Sequence, residues 1–295
     1  MSKKMHDDEV NIDLTLVKEL LSAQFPQWAT LPIEPIQSIG TDNAIYRLGR
    51  DMCIRLPRIP GADKHIETEQ RWLPKFAPIL PLAIPVFLGK GNPHGNYPWH
   101  WSIYRWIEGE NACTKTIIDQ HQAAIDLAQF LIALQKIDPT GGPTSRRGIP
   151  LVTQDNEVRS AIKSLHGIID TQAVTAKWEQ CLQAPVWDKL PVWIHGDLLP
   201  ANLLVQHGRL SGVIDFDSLG IGDPACDLIP AWSVFSSDVR DIFRTKLAVD
   251  DATWIRGCGW GLSIALIIIP YYQNSNLGLV SIAKQMIKEI LNDSE

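Results

Sequence analysis

The pattern of apolar residues along this 295-residue chain changes near Gly109. Before that glycine, short runs of apolar and β-branched residues alternate with turn signals, as in antiparallel sheets. Beyond it, apolar residues recur at helical spacing over longer segments, and one hairpin pattern interrupts them. The sequence therefore predicts an α+β fold with a small antiparallel-sheet part over residues 1–107 and a mostly helical part over residues 108–295.

The first part carries two helix patterns and five strand patterns. Asp13 precedes the first helix as a typical N-cap, and Pro74 is expected to kink or end the second. The predicted elements are helices at 14–25 and 63–76, a three-stranded antiparallel meander over 33–56, and strands at 84–88 and 99–106.

The second part begins with an apolar helical stripe that ends before Pro139. His207 and Gly208 lie between two short β patterns and predict a hairpin. The predicted elements are helices at 118–137, 158–169 and 173–182, hairpin strands at 203–206 and 210–214, and mainly helices after Pro224.

Charge and cysteine content exclude several classes of protein. The formal net charge is -6, so no overall electropositive field would hold DNA or RNA. The five cysteines form no C-x-x-C pair, which argues against a disulfide framework or a zinc knuckle. The amino terminus lacks an apolar signal segment, and the apolar run Leu262–Ile269 is too short to span a bilayer. We expect a cytoplasmic protein that binds neither nucleic acid nor membrane; its oligomeric state cannot be read from the sequence.

The stretch Trp193–Asp217, WIHGDLLPANLLVQHGRLSGVIDFD, carries the residues suited to chemistry. The order of its polar residues and the Asp-to-Asn spacing match the protein-kinase motifs H-R-D-L-x-x-x-N and D-F-G. Phosphoryl transfer requires a carboxylate that aligns and deprotonates the acceptor hydroxyl, and Asp197 provides one. Asn202 and Asp215 offer the hard oxygen ligands that Mg²⁺ prefers, and the hairpin between them returns the chain so that they lie close together.

These residues resemble a known family. His195-Gly196-Asp197, Pro200-Ala201-Asn202, Ile214-Asp215-Phe216-Asp217 and Gly222-Asp223-Pro224 with Asp227 are similar to the motifs of the aminoglycoside phosphotransferases and their relatives. The resemblance covers nearly the full length. It implies a protein-kinase-like two-lobe fold in which ATP or GTP binds between the lobes, with Mg²⁺, and passes its γ-phosphoryl group to a hydroxyl of a small molecule.

The resemblance also implies a phosphate site in the first part of the chain. The family's glycine-rich loop is reduced to Gly40 and Asn43, and the G-x-G-x-x-G pattern is absent. Arg55 stands at the place of the family's phosphate-binding lysine; it keeps the charge but is longer and planar. Glu69 is its expected partner, with Glu67 as an alternative.

Two further groups of residues follow from the resemblance. The segment 103–109 is the expected connector between the lobes, where the backbone around Tyr104, Trp106 and Ile107 would bind the purine. The residues expected to support the catalytic loop or the metal site are His195, Asp217 and Asp227. Of these, Asp217 is also a candidate for a further metal ligand.

Acceptor recognition is expected in the helical part, where the sequence is least informative. The aromatic residues there that could stack on a sugar or line an apolar pocket, or simply form core, are Trp232, Trp254, Trp260, Tyr271 and Tyr272. The resemblance implies an aminoglycoside-type antibiotic as acceptor, and with it antibiotic resistance. A macrolide or a hydroxylated metabolite such as choline, homoserine or a sugar remains open.

Two rival interpretations belong to other classes of protein. A non-catalytic nucleotide-binding pseudokinase is supported by the missing lysine, but it would have no need of the base Asp197. A protein kinase is disfavoured because only a few residues separate Asp215 from Pro224, which leaves little room for a peptide-binding activation segment.

Overall fold

A computed structural model of the chain describes residues 10–36 and 42–293. The chain divides into two compact units. Unit 1 extends to Pro78 and resumes over Ala83–Glu108, and unit 2 contains Ile79–Leu82 and the chain from Gly109 onward. The boundary predicted from the sequence places Ile79–Leu82 in the first part. Two side chains of this segment, Leu80 and Leu82, are buried, each only 8% exposed.

Unit 1 is built on a five-stranded antiparallel sheet. Its strands are β1 (Ile33–Ile36), β2 (Asn43–Leu48), β3 (Met52–Pro57), β4 (Phe87–Gly91) and β5 (Trp101–Arg105), and its helices are α1 (Leu14–Gln24) and α2 (Ile66–Phe76). The strand order is β1-β2-β3-β5-β4. The predicted meander is therefore present as β1 to β3, and the two later strand patterns supply β4 and β5.

Both helices of unit 1 follow from local sequence. Asp13 caps α1, and its carboxylate accepts a hydrogen bond from the backbone N–H of Leu16 at 2.9 Å. Helix α2 contains Pro74 in its last turn and ends two residues later. Proline has no N–H for the carbonyl four residues earlier, and this position near the end limits the cost. One face of α2 is buried, and Glu69 lies on that face.

Unit 2 is mostly helical and also holds two small sheets. Its helices are α3 (Gln120–Gln135), α4 (Asp155–Ser164), α5 (Thr171–Gln183), α6 (Pro230–Ser233), α7 (Ser237–Leu247), α8 (Asp251–Tyr272) and α9 (Leu277–Asn292). Its strands are β6 (Glu110–Asn111), β7 (Val192–Ile194), β8 (Leu203–Gln206), β9 (Arg209–Val213) and β10 (Gly220–Gly222). The predicted hairpin is β8–β9, and both of its turn residues have positive φ, 52° at His207 and 77° at Gly208.

Three short strands were not predicted. Strands β6, β7 and β10 have only two or three residues each, too few to show a period-two pattern. Strand β7 pairs with β10, and β6 pairs with β8, both in antiparallel register. These pairings fix the position of the loop that carries Asp197.

Helix α8 is longer than its apolar pattern indicated. It continues through Pro270 to Tyr272, because the proline lies close enough to the end that few helical hydrogen bonds are lost. Length and composition alone would allow this helix to cross a membrane, with a mean hydropathy of 1.5. However, 78% of its apolar window is buried inside the structure, as in the core helix of a folded domain.

Candidate active site

Strand β7 leads directly into the predicted catalytic loop. Its residues Trp193 and Ile194 are fully buried, which anchors the start of the loop in the core of unit 2. Ile194 pairs with Gly220 of β10. The chain that enters the loop at His195 therefore runs beside the strand that follows the predicted metal-site residues.

Asn202 joins the two ends of this site. Its Nδ2 atom donates to the carbonyl oxygen of Asp197 at 2.7 Å and to Asp197 Oδ2 at 3.0 Å. The carbonyl of Asn202 accepts from the backbone N–H of Ile214 at 2.9 Å, which extends the β8–β9 pairing by one hydrogen bond. Asp215 is the next residue, so the hairpin brings Asp197, Asn202 and Asp215 to one junction.

Asp215 has an unusual backbone conformation. Its φ is 65°, in the left-handed region that non-glycine residues seldom adopt, at a cost of about 1–3 kcal/mol. Such residues concentrate at functional sites, where the surrounding structure imposes the conformation. Here the hydrogen bond of the preceding Ile214 to Asn202 sets the direction of the chain.

The donor set at this junction fits Mg²⁺ in one specific way. Within the described ranges, no group of three or more His, Cys, Asp or Glu side chains could hold a metal by itself. Because Nδ2 of Asn202 is committed to Asp197, the amide atom left to bind a cation is Oδ1. With the Asp215 carboxylate, this would offer a cation two hard oxygen ligands, the small protein share that suits Mg²⁺ when nucleotide phosphates and water supply the rest.

The two ring nitrogens of His195 have fixed roles. Nε2 lies 3.1 Å from the Ile214 carbonyl, and Nδ1 accepts from the backbone N–H of Asp197 at 3.2 Å. A carbonyl can only accept and an N–H can only donate, so the imidazole is neutral with its hydrogen on Nε2. Burial lowers the pKa of His195 to about 4, although the nearby Asp215 charge opposes this shift. Both ring nitrogens are therefore engaged in hydrogen bonds that hold the loop.

Asp227 holds the same loop through two backbone N–H groups. Its Oδ2 accepts from the N–H of His195 at 2.8 Å, and its Oδ1 accepts from the N–H of Gly196 at 2.7 Å. Gly196 has a φ of 82°, which a side chain would strain. Full burial raises the pKa of Asp227 to about 7, and the two N–H donors counteract part of this rise. Asp227 is thus bonded to the two residues that precede Asp197.

Asp217 follows the fully buried Phe216 and is itself half-buried. The Phe216 ring packs edge to face against the His195 ring, with 4.5 Å between the ring centroids. This contact holds the segment from Asp215 to Asp217 against the loop that carries His195 and Asp197.

Asp223 and Arg256 form a buried ion pair that the sequence did not reveal. Asp223 caps the short 3-10 helix Pro224–Leu228 through the backbone N–H of Ala225, at 3.0 Å, and that helix carries Asp227. Arg256 of α8 donates from Nε to Asp223 Oδ2 at 2.6 Å and from Nη2 to Oδ1 at 3.2 Å. The two side chains are 5% and 6% exposed. No spacing rule links positions so far apart in the chain.

The loop after α3 packs against β10. The sequence predicts the loop but not this contact. Ser145 Oγ donates to the carbonyl of Ser218 at 2.8 Å. The N–H of Asp223 donates to the carbonyl of Gly148 at 3.0 Å. A Cβ atom on Gly222 would lie 2.5 Å from the Gly148 backbone, so both positions require glycine. The glycines were the only sequence signal of this contact.

A second polar cluster lies within unit 1, and it contains four of the predicted nucleotide-site residues. Arg55 Nη1 donates to Glu69 Oε1 at 3.0 Å, and the Tyr104 hydroxyl donates to Glu69 Oε2. With its amide oxygen toward the guanidinium, Asn43 accepts from Arg55 Nη2 at 2.9 Å and from Nε at 3.1 Å. Glu69 is therefore the partner of Arg55. The alternative, Glu67, is 79% exposed and pairs with Lys90 instead.

The predicted connector residues are also in unit 1. The backbone N–H of Trp106 donates to the carbonyl of Asp51 at 2.8 Å. Arg47 stacks on the Trp106 ring at 4.0 Å and pairs with Glu108 at 2.9 Å. Ile107, between them, is half-buried. Gly40, the remaining nucleotide-site prediction, lies outside the described residues.

Most of the aromatic residues considered for acceptor binding form the core of unit 2. The exposed fractions are 1% for Trp232, 9% for Trp254 and 0% for Trp260. These three rings cannot stack on a ligand without repacking of the core. Tyr271, at the end of α8, is 60% exposed, and its ring packs edge to face against Tyr272.

Comparison with known proteins identifies the family. The model of the phosphotransferase enzyme family matches residues 33–260, and the chain belongs to that family. A comparison with curated proteins gives no match.

Three solved structures illustrate the fold. The GDP and kanamycin complex of the aminoglycoside phosphotransferase APH(2")-IIIa is 18% identical, with a TM-score of 0.75 and coverage of 96% of this chain and 100% of that one. Macrolide 2'-phosphotransferase type I is 18% identical, with a TM-score of 0.64 and coverage of 94% and 98%. The apoenzyme of the macrolide 2'-phosphotransferase MphH from Brachybacterium faecium is 20% identical, with a TM-score of 0.62 and coverage of 96% and 99%.

These likenesses confirm the predicted fold class, a kinase-like fold with an antiparallel-sheet unit and a mostly helical unit. They also confirm the family that the motifs indicated. Since the same fold serves enzymes with different acceptors, the likeness does not identify a substrate.

Proposed function

We propose that this protein is a magnesium-dependent phosphotransferase that moves the γ-phosphoryl group of ATP or GTP to a hydroxyl of a small molecule. The observation that carries the proposal is the junction at Asn202, which bonds to Asp197 and, through Ile214, holds Asp215 nearby. A carboxylate beside two oxygen ligands for a cation is the arrangement that phosphoryl transfer requires.

Each residue has a separate task in this proposal. The Asp197 carboxylate, oriented by the Asn202 amide, aligns the acceptor hydroxyl and accepts its proton as the oxygen attacks phosphorus. Asn202 Oδ1 and the Asp215 carboxylate hold Mg²⁺, which when bound neutralises negative charge on the phosphate oxygens. Arg55 steadies the phosphates, and the backbone of the connector binds the purine.

For the acceptor, we propose an aminoglycoside-type antibiotic. The solved structures that share the fold include aminoglycoside phosphotransferases bound to kanamycin, gentamicin or streptomycin, and the net charge of -6 suits a polycationic acceptor. The second candidate is a macrolide, because macrolide phosphotransferases share the fold at similar identity.

A panel of acceptors tests both the reaction and the substrate class. ADP and GDP release would be measured with Mg²⁺, ATP or GTP, and aminoglycosides, macrolides, choline, homoserine or sugars. Acceptor-dependent release with an aminoglycoside supports the proposal, and release with another acceptor reassigns the substrate. Nucleotide binding without transfer to any acceptor would instead favour a pseudokinase.

A further inference from the structure

The cation of the unit 1 cluster is an arginine, although the resemblance implies a lysine at its position. A lysine presents one compact ammonium group, whereas an arginine presents a planar fork with donors on three nitrogens. Such a fork acts in one orientation only if partners hold more than one of its edges. The surroundings of Arg55 supply those partners.

Asn43 holds the side of the fork that Glu69 does not reach. Residue 43 pairs with Pro57 in the β2–β3 ladder, and Arg55 lies two residues before Pro57 on β3. This diagonal relation places the two side chains within reach on the same face of the sheet. The Asn43 amide oxygen accepts from both Nε and Nη2 of Arg55, while Glu69 accepts from Nη1.

The contacts run from Asn43 to Arg55 and Glu69, and Tyr104 is the partner of Glu69 on the far side from Arg55. Its hydroxyl donates to Glu69 Oε2, so each oxygen of a carboxylate that is 1% exposed has a partner. Burial and the charge of Glu69 keep the pKa of Tyr104 well above its usual value, so the hydroxyl remains a donor. A second oxygen with its own partner stops Glu69 from rotating away from Arg55.

We propose that Asn43 and Tyr104 are positioning residues that allow an arginine to serve as the phosphate-side cation in this chain. Their side chains act through Arg55 and Glu69 and do not themselves contact the nucleotide. The inference rests on the proposed function and deepens it, because it states what compensates for the missing lysine. A lysine at position 55 could reach Glu69 but would leave Asn43 without its two donors.

A double-mutant cycle tests the inference. The dissociation constants of Mg·ADP and Mg·GDP would be measured by calorimetry for the wild type, Asn43→Ala, Arg55→Lys and the double variant. Asn43→Ala should weaken binding about tenfold in the wild type and less than about twofold when residue 55 is lysine. Tyr104→Phe keeps the ring and removes the hydroxyl. It should weaken binding with either residue at position 55, because Tyr104 acts through Glu69, which a lysine also reaches.

Controls separate positioning from general loss of structure. Asn96→Ala, in an exposed turn of the same unit, should leave binding unchanged. Thermal unfolding checks that each variant is folded, and Asn43→Ser replaces Asn43→Ala if alanine prevents folding. In steady state, the Asn43 variants should raise KM for the nucleotide more than they lower kcat.

The possible failures are distinguishable. If the Asn43 substitution weakens binding equally in both backgrounds, Asn43 acts on the nucleotide itself and the inference is wrong. If it has no effect in either background, the inference is also wrong, while the proposed function stands. If the wild type binds neither nucleotide, both the proposed function and the inference are overturned.

Discussion

The imidazole of His195 is fully buried between the Asp197 N–H and the Ile214 carbonyl. It is neutral in the folded protein, with a pKa of about 4, whereas the unfolded chain takes up a proton near the ordinary value of 6.5. Between these two pH values the unfolded state binds more protons than the folded state. The contribution of the neutral His195 to the free energy of unfolding is therefore complete above pH about 6.5 and is lost as the pH falls toward about 4. Asp227, with its raised pKa, contributes in the opposite direction over a similar range.

Substitution separates these two contributions. We predict that His195→Gln lowers the free energy of unfolding more at pH 7.5 than at pH 4.5. The difference in this free energy between wild type and variant should be smaller at pH 4.5 by about 2–3 kcal/mol. Denaturant titrations at both pH values measure this change. The control is His94→Gln, at an exposed position, which should leave the free energy of unfolding close to that of the wild type at both pH values. A difference for His195→Gln that does not vary with pH would show that the histidine is not buried in its neutral form.

Some residue positions could be predicted from the sequence and others could not. The junction of Asp197, Asn202 and Asp215 follows from fixed spacing and a hairpin, both of which are local properties. The direction of the Asn43 amide depends on Arg55, a partner on the next strand. Sequence reasoning therefore assigned Asn43 to the nucleotide and could not foresee its contact with the guanidinium.

At the level of elements, the Asp223–Arg256 pair ties α8 to the 3-10 helix that carries Asp227. We predict that Arg256→Met lowers the free energy of unfolding by about 3–5 kcal/mol, because it leaves the Asp223 carboxylate buried without its counter-ion. The matched control is Arg209→Met. Arg209 is 61% exposed and lies 3.4 Å from Asp126, so its loss should cost less than about 1 kcal/mol. Equal losses in urea titrations of the two variants would contradict a buried role for the pair.

Elements of three or more turns were predictable, whereas the shortest strands were not. Helices α1 and α3 have aspartate caps and clear apolar stripes, and both form close to the predicted bounds. Strands β7 and β10 exist because of their pairing with each other and because Gly148 and Gly222 can approach closely. Such pairing is a tertiary property that no local pattern contains.

For the whole molecule, bound nucleotide should stabilise the fold. A ligand that binds only the folded state at 100 times its dissociation constant adds about 2.7 kcal/mol, so Mg·ADP or Mg·GDP should raise Tm. We predict that EDTA reduces this rise and that Asp215→Asn nearly removes the effect of Mg²⁺, because a metal ligand is lost. Asp188→Asn, at an exposed position in unit 2, is the control and should behave as the wild type. If the nucleotide raises Tm equally with and without EDTA, and equally in the wild type and in Asp215→Asn, this metal site is ruled out.

The fold and family were accessible from the sequence because they depend on patterns spread over the entire chain. The acceptor was not, since it depends on which side chains remain exposed after packing. Trp232 and Trp260 illustrate the difficulty: in sequence they are candidate stacking rings, and in the structure they are core.

The central claim is that Asp197 is the base for transfer to a small-molecule hydroxyl. Acceptor-dependent ADP or GDP release, compared between the wild type and Asp197→Asn, tests it most directly. We predict that kcat falls by about 10²- to 10⁴-fold, while the dissociation constant of the nucleotide changes little, since the asparagine carbonyl can still accept from Asn202. Asp188→Asn should retain full activity. An Asp197→Asn enzyme that transfers phosphate at the wild-type rate would contradict the account.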